Sequence, residues 1–186
     1  YDKDSHRPEE IIEKAYYGLA WTYLKSGNPD QSIQSFERVM HRTESKIVKV
    51  SALTQIGDAY QDMNELEKAI DVYDRILREY PDSIYADYVQ FRQGIALLKL
   101  NKIEAATLSF QTLQANFPGS KHLKEVKYYL GLAYFKKEDW QQAVFYSKDY
   151  LGVSPSSGTF ASEAVYILAL SYFNLKDYEK ALPVFK

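Results

Sequence analysis

The sequence predicts an all-α fold, a solenoid of antiparallel helix pairs, and three observations carry that prediction. First, proline signals recur at a fixed step: Tyr80-Pro81-Asp82-Ser83, Phe117-Pro118-Gly119-Ser120 and Ser154-Pro155-Ser156-Ser157 place their prolines 37 residues apart. Second, Gly57, Gly94 and Gly131 keep the same step, and Ala20 and Ala169 extend it outward, giving steps of 37, 37, 37 and 38. Third, apolar residues between these marks recur at helical spacing, as in Ile56-Gly57-Asp58-Ala59-Tyr60 and Ala69-Ile70-Asp71-Val72-Tyr73. Self-similarity at such a period is the mark of stacked repeats, each too small to bury its own apolar face.

Each repeat reads as two amphipathic helices. In the second, the polar stretch Asp62 to Glu65 separates them, while Gly57 and Ala69 are small enough for close approach and Tyr60 and Tyr73 fill the space around them. Pro81 stops the second helix, and Asp82 or Ser83 can cap the next. First helices are predicted near 8–26, 45–63, 83–100, 120–137 and 159–175; second helices near 29–43, 66–80, 103–116, 139–153 and 178–186. Pro8 suits the first turn of the opening helix. Residues 1–7 are polar and read as a loose segment, leaving one array over 8–186 with units near 8–44, 45–81, 82–118, 119–156 and 157–186, the fifth truncated.

These residues resemble the tetratricopeptide repeat, whose pattern is W-x2-L-G-x2-Y, then A-x3-F, then P, on a period of about 34 residues. The second unit matches as Leu53, Ile56-Gly57, Tyr60, Ala69, Tyr73 and Pro81. The fourth gives Leu130-Gly131, Tyr134, Ala143 and Pro155, with Ser147 where an aromatic is expected and Tyr146 beside it. The fifth gives Leu168-Ala169, Tyr172, Ala181 and Phe185. The third keeps Gly94, Ala106, Phe110 and Pro118 but has Gln93 and Leu97 at two usual positions. The first is the most divergent, with Tyr16, Leu19-Ala20, Tyr23, Ser32 and Phe36, and Glu44 where proline would fall. The resemblance implies a right-handed α-solenoid. The fifth unit lacks a terminating proline and a polar capping helix, and the chain runs from Tyr1 rather than Met to Lys186 inside a helical pattern. It therefore reads as a fragment of a protein that continues in more repeats or another domain.

Composition narrows function mainly by exclusion. Among 186 residues, 46% are hydrophobic and 26% charged, too apolar for disorder, and the net charge of −2 has no basic bias of the kind nucleic acid selects. There is no cysteine, so no disulfide scaffold, thiolate metal site or cysteine nucleophile. No apolar run approaches the ~20 residues of a transmembrane helix. His6, His41 and His122 fall in different units, which argues for surface positions rather than a metal site. No nucleophile elbow, phosphate loop or dinucleotide fingerprint occurs. Acidic neighbours such as Glu9-Glu10, Glu65/Glu67 and Asp71/Asp74 read as solvated helix faces. No catalytic residue, cofactor or metal is predicted, and the protein is expected not to be an enzyme.

Tetratricopeptide resemblance further implies that first helices line a concave surface where partner proteins bind. The positions three before, one after and four after the glycine register are Tyr17, Trp21 and Leu24; Thr54, Asp58 and Gln61; Phe91, Ile95 and Leu98; Tyr128, Leu132 and Phe135; Tyr166, Leu170 and Phe173. Four units present aromatic and aliphatic residues, bordered by Lys25, Lys99 and Lys136, and only the second is polar. Such a stripe suits an apolar helix or extended peptide. The alternative is that these residues pack between helices as core. The lysine–asparagine clamp that some tetratricopeptide proteins use for a C-terminal carboxylate is not evident.

The leading functional reading is a non-catalytic scaffold. The stretch Asp82-Ser83-Ile84-Tyr85-Ala86-Asp87-Tyr88 and the later Phe117-Pro118-Gly119-Ser120 resemble the extracytoplasmic bacterial subset of the family. That subset includes outer-membrane assembly lipoproteins and the accessory protein of the Tol–Pal system. The likeness implies a periplasmic or outer-membrane-associated protein that helps assemble an envelope complex, with a cytoplasmic location as the alternative. Two other roles stay open: a regulatory or targeting domain of a larger enzyme, and self-association through an open C-terminal face.

Overall fold

The computed structural model describes residues 8–153 and 159–185. The segment expected to be loose, Tyr1 to Arg7 with His6, lies outside the described residues, as do Ser154-Pro155-Ser156-Ser157 and Lys186. The described residues form ten α-helices and no strand: α1 (Pro8–Lys25), α2 (Pro29–Arg42), α3 (Lys46–Asp62), α4 (Leu66–Glu79), α5 (Ala86–Lys99), α6 (Ile103–Asn116), α7 (Leu123–Lys136), α8 (Trp140–Val153), α9 (Ala161–Asn174) and α10 (Tyr178–Val184). They fall into two compact units, residues 1–96 and 97–186, with the division inside α5.

Helices α5 and α7 open three residues later than the apolar pattern predicts, because the residues after each proline are spent on a turn. Ser83 N–H donates to Tyr80 O at 3.0 Å, and Ser83 Oγ accepts Tyr85 N–H at 3.2 Å. The equivalent bonds one repeat on are Ser120 N–H to Phe117 O at 2.9 Å and His122 N–H to Ser120 Oγ at 3.2 Å. The serines thus hold the entry turn rather than cap the helix. Ser45 is a true N-cap, accepting Val48 N–H before α3.

Every pair closes with the same left-handed residue. Gly27, Asn64, Asn101, Glu138 and Lys176 all have positive φ, between 59° and 75°, and repeat on steps of 37, 37, 37 and 38. In the second pair Asn64 N–H donates to Gln61 O and Glu65 N–H to Tyr60 O; Asn101/Lys102, Glu138/Asp139 and Lys176/Asp177 repeat the two bonds on their own helices. This is the Schellman closure, which satisfies carbonyls that a helix end leaves open. Glycine and asparagine enter that conformation readily, whereas Glu138 and Lys176 bear a cost of about 1 kcal/mol each.

In the first unit, α1, α2 and α3 enclose Ala20, Ile33, Phe36, Val39, Ala52, Ile56 and Ala59. Ser32 Oγ donates to Ala20 O at 2.9 Å, so a buried hydroxyl sits where the two helices meet. Helices α3, α4 and α5 enclose Val50, Leu53, Ala69, Tyr73, Ile76 and Val89. In the second unit, α7, α8 and α9 bury Tyr128, Ala143, Tyr150, Ala164 and Ile167, and α9 with α10 buries Leu168, Tyr172 and Ala181.

The glycine register marks the crossing within a pair. A Cβ on Gly57 would lie 2.5 Å from Cε1 of Tyr73, which is fully buried. In the fourth repeat a Cβ on Gly131 would lie 3.0 Å from Ser147 Oγ. Ser147 therefore stands in the aromatic position because it is buried directly against the facing helix. Tyr146, the next residue back, stacks on Tyr134 with centroids 5.4 Å apart.

We expect Gly57→Ala to destabilise the protein by about 2 kcal/mol, since the ring of Tyr73 is packed on all sides and cannot yield. Gly18→Ala, in α1 with nothing within 4 Å of the added carbon, is expected to stabilise by about 0.5 to 1 kcal/mol. Urea unfolding of the two variants checks both signs.

Candidate partner-binding faces

The predicted stripe residues are all on first helices, but their environments differ widely. In the first unit, Tyr17 and Trp21 approach Phe36 edge-on at 5.7 and 5.9 Å, and Tyr17 Oη is 2.9 Å from Ser51 Oγ. With Leu24 they are half-buried against the α1–α2–α3 core, so they present only part of their surface, while Lys25 is exposed. Phe91 is buried and Ile95 half-buried.

The polar second repeat does not form an open polar gap. Thr54 and Gln61 are buried, and the Asp58 side chain is only 15% exposed. Asp58 is the centre of a network that sequence reasoning placed on the surface stripe. Its Oδ1 accepts Tyr73 Oη–H at 2.7 Å and Arg92 Nε–H at 2.9 Å, and its Oδ2 accepts Tyr88 Oη–H at 2.7 Å. Tyr73 has one proton to give and shares it with Gln61 Oε1 at 2.9 Å. Arg92 also reaches Asp62 at 3.4 Å. The network ties α3, α4 and α5 together. Burial pushes the Asp58 carboxyl above the ordinary aspartate value, and Arg92 with the two hydroxyls pulls it only part of the way back. Burial and the charge of Asp58 together raise the hydroxyls of Tyr73 and Tyr88. The clue in the sequence is an aspartate in a register that otherwise holds Trp21, Ile95, Leu132 and Leu170, matched by a lone arginine in the next repeat.

In the second unit, Leu98 and Tyr128 are buried. Tyr128 stacks on Phe160 at 4.3 Å with Tyr150 at 5.8 Å, and burial with the nearby Glu163 raises its hydroxyl to about 12. Leu132, Phe135 and Leu170 are half-buried. Tyr166 and Phe173, by contrast, are 59% and 52% exposed. Helices α7 and α9 touch, and Tyr128, Leu132 and Phe135 of α7 belong to the same apolar cluster as Ala164 and Ile167 of α9. Lys99 and Lys136 are exposed last residues of their helices, where they also complement the helix dipole. No helix among the described residues is long and apolar enough to cross a membrane.

Antiparallel helix pairs on a 37-residue step, each closed by the same left-handed turn, define a tetratricopeptide repeat protein. Tetratricopeptide repeat models match residues 13–41 and 51–83, and proteins of this class are non-catalytic scaffolds for binding other proteins. A family model described as YfiO, outer membrane lipoprotein, matches residues 89–181, half of the chain. The chain belongs to that family.

Solved structures agree on the α-solenoid fold. A MamA from Desulfovibrio magneticus RS-1 superposes with a TM-score of 0.78 at 21% identity, covering 94% of this chain and 91% of that one. An RS-1 MamA double mutant gives 0.80 at 19%, covering 94% and 90%. MamA of AMB-1 gives 0.74 at 22%, covering 95% and 89%. Identities this low carry the fold alone. No curated protein matches the chain.

Arg92→Met is expected to cost about 2 to 3 kcal/mol at neutral pH, because it leaves Asp58 ionised, largely buried and without its cation. The variant's Asp58 titrates higher still in the folded state than in the unfolded chain. Its stability is then greatest below the unfolded value and is lost as pH rises through the raised folded value. Urea unfolding of the variant should therefore show part of the loss recovered on acidification relative to wild type.

Proposed function

We propose that this protein holds a segment of another protein on the inner face of its first helices and does so in assembling a bacterial outer-membrane complex. The observation that carries the reading is the exposure of Tyr166 and Phe173 on α9, a helix that packs against α7 in the second unit. Aromatic side chains held on packed helices offer large contact area for little ordering cost. Within the first unit, Tyr17, Trp21, Leu24, Lys25 and the half-buried Ile95 are the corresponding contact residues, while Phe91, Leu98 and Tyr128 are buried and serve the packing beneath. The envelope setting, periplasmic or on the outer membrane, draws support from the family to which the chain belongs.

A photo-reactive amino acid placed at Tyr166 or Phe173 in cells of the native host tests the reading. Cross-links to one envelope protein are expected from those positions and not from Leu108, an exposed apolar residue on the second helix α6. Equal cross-linking from Leu108 would overturn the inner-face assignment.

A further inference from the structure

We propose that copies of this chain associate head to tail, the outer face of α1 in one copy seating on α10 of the next as each later first helix seats on the second helix before it. This contact joins the two ends of the helix series and is separate from the inner face.

The repeat itself shows what covers such faces. Helix α3 packs on α2, and its Ala52, Ile56 and Ala59 share a buried cluster with Ile33, Phe36 and Val39. Ala52 lies five residues before the glycine register, where Val89, Val126 and Ala164 are likewise buried. The places of Ile56 and Ala59 are buried in α5, α7 and α9 alike. In α1 the same three places are Ala15, Leu19 and Thr22, and all three are exposed. Ile11, one turn earlier on that face, is exposed too.

Helix α10 has the matching deficit. Ile33 and Phe36 in α2, Ile70 and Tyr73 in α4, and Thr107 and Phe110 in α6 are all buried. Their equivalents are Leu182 in α10 and Phe185 just after it, and these are 60% and 53% exposed. Tyr178 is exposed where α4 and α6 bury Leu66 and Ile103. Spacings of four and three residues put Tyr178, Leu182 and Phe185 on one face.

Side-chain size favours α1 as the occupant. In the buried clusters, small residues of a first helix meet large ones of the second helix before it, Ala52 and Ala59 with Phe36, and Ala164 with Tyr150. Helix α1 repeats that pattern with Ala15 and Thr22 beside Ile11 and Leu19, whereas a second α10 would set large against large. Charge favours the same arrangement. Residues 1–96 carry twelve Lys or Arg against seventeen Asp or Glu, a net −5, and residues 97–186 carry eleven against eight, a net +3. Head-to-tail contact brings unlike units together, and the two like-to-like contacts do not. Because the faces differ, the contact need not close, and association continues past the dimer.

Sedimentation velocity of the full chain with two variants, Leu19→Glu and Leu182→Glu, tests this. Both residues are already exposed, so circular dichroism is expected to be unchanged; should helix be lost, Ser replaces Glu there. Wild type is expected to form oligomers that grow with concentration. Each variant alone is expected to associate about tenfold or more weakly, a carboxylate being costly in an apolar contact. Mixed one to one, the variants are expected to form a heterodimer and nothing larger, since one keeps a working α10 and the other a working α1. Wild type that is monomeric to the limit of its solubility overturns the proposal, as do variants that associate like wild type or a mixture that stays monomeric. Leu19→Glu that dimerises alone makes the contact tail to tail, and overturns it too. A photo-reactive amino acid at Leu182 in cells of the native host is expected to cross-link to α1 of a second copy. Cross-links to another protein instead, or to a later helix of the same polypeptide, make that the occupant and the proposal falls.

Discussion

The structure depends on how closely the two helices of a pair can approach at one position. Gly57 leaves room for the ring of Tyr73 at a distance where no Cβ could stand, and Gly131 leaves room for Ser147. Ala20 and Ala169, both fully buried, hold the same place at the two ends of the series. From this close approach the rest follows in order. The approach sets which side chains are sealed within a pair, and those set which residues remain to meet the next helix.

The turn is the partner of that constraint. A pair of helices that must cross at a given residue needs a short connection of fixed geometry, and the left-handed closure supplies it with two hydrogen bonds in every repeat. Glu138 and Lys176 adopt the conformation although their side chains disfavour it. Packing on both sides of the turn outweighs a cost of about 1 kcal/mol. Local preference yields to the tertiary requirement at two positions and agrees with it at three.

The inner faces differ because their residues serve two purposes. Tyr17 and Trp21 are drawn into the core by Phe36, and Tyr128 by Phe160 and Tyr150. Tyr166 and Phe173 keep half their surface open. The second repeat holds Asp58 in the register of Trp21, and there the space is filled by a buried ion pair and tyrosine hydroxyls instead of apolar contact. The first helices therefore carry packing, a polar tie and exposed aromatics in different repeats.

The repeat and its helices were legible in the sequence because they follow from spacing: helical periodicity, small residues at a constant step, and prolines that stop helices. The aromatic stripe was legible as a list of residues for the same reason. Which of its members stay open was not, since Tyr128 and Tyr166 occupy equivalent positions and only the neighbours that Phe160 and Tyr150 provide distinguish them. The left-handed turn was half legible, announced by Gly27, Asn64 and Asn101 and concealed by Glu138 and Lys176. The burial of Asp58 was decided by tertiary structure alone. A carboxylate is solvated or buried according to what packs around it, and Tyr73, Tyr88 and Arg92 arrive from two other helices. Periodicity determines which residues face the same way, and packing determines which of them water still reaches.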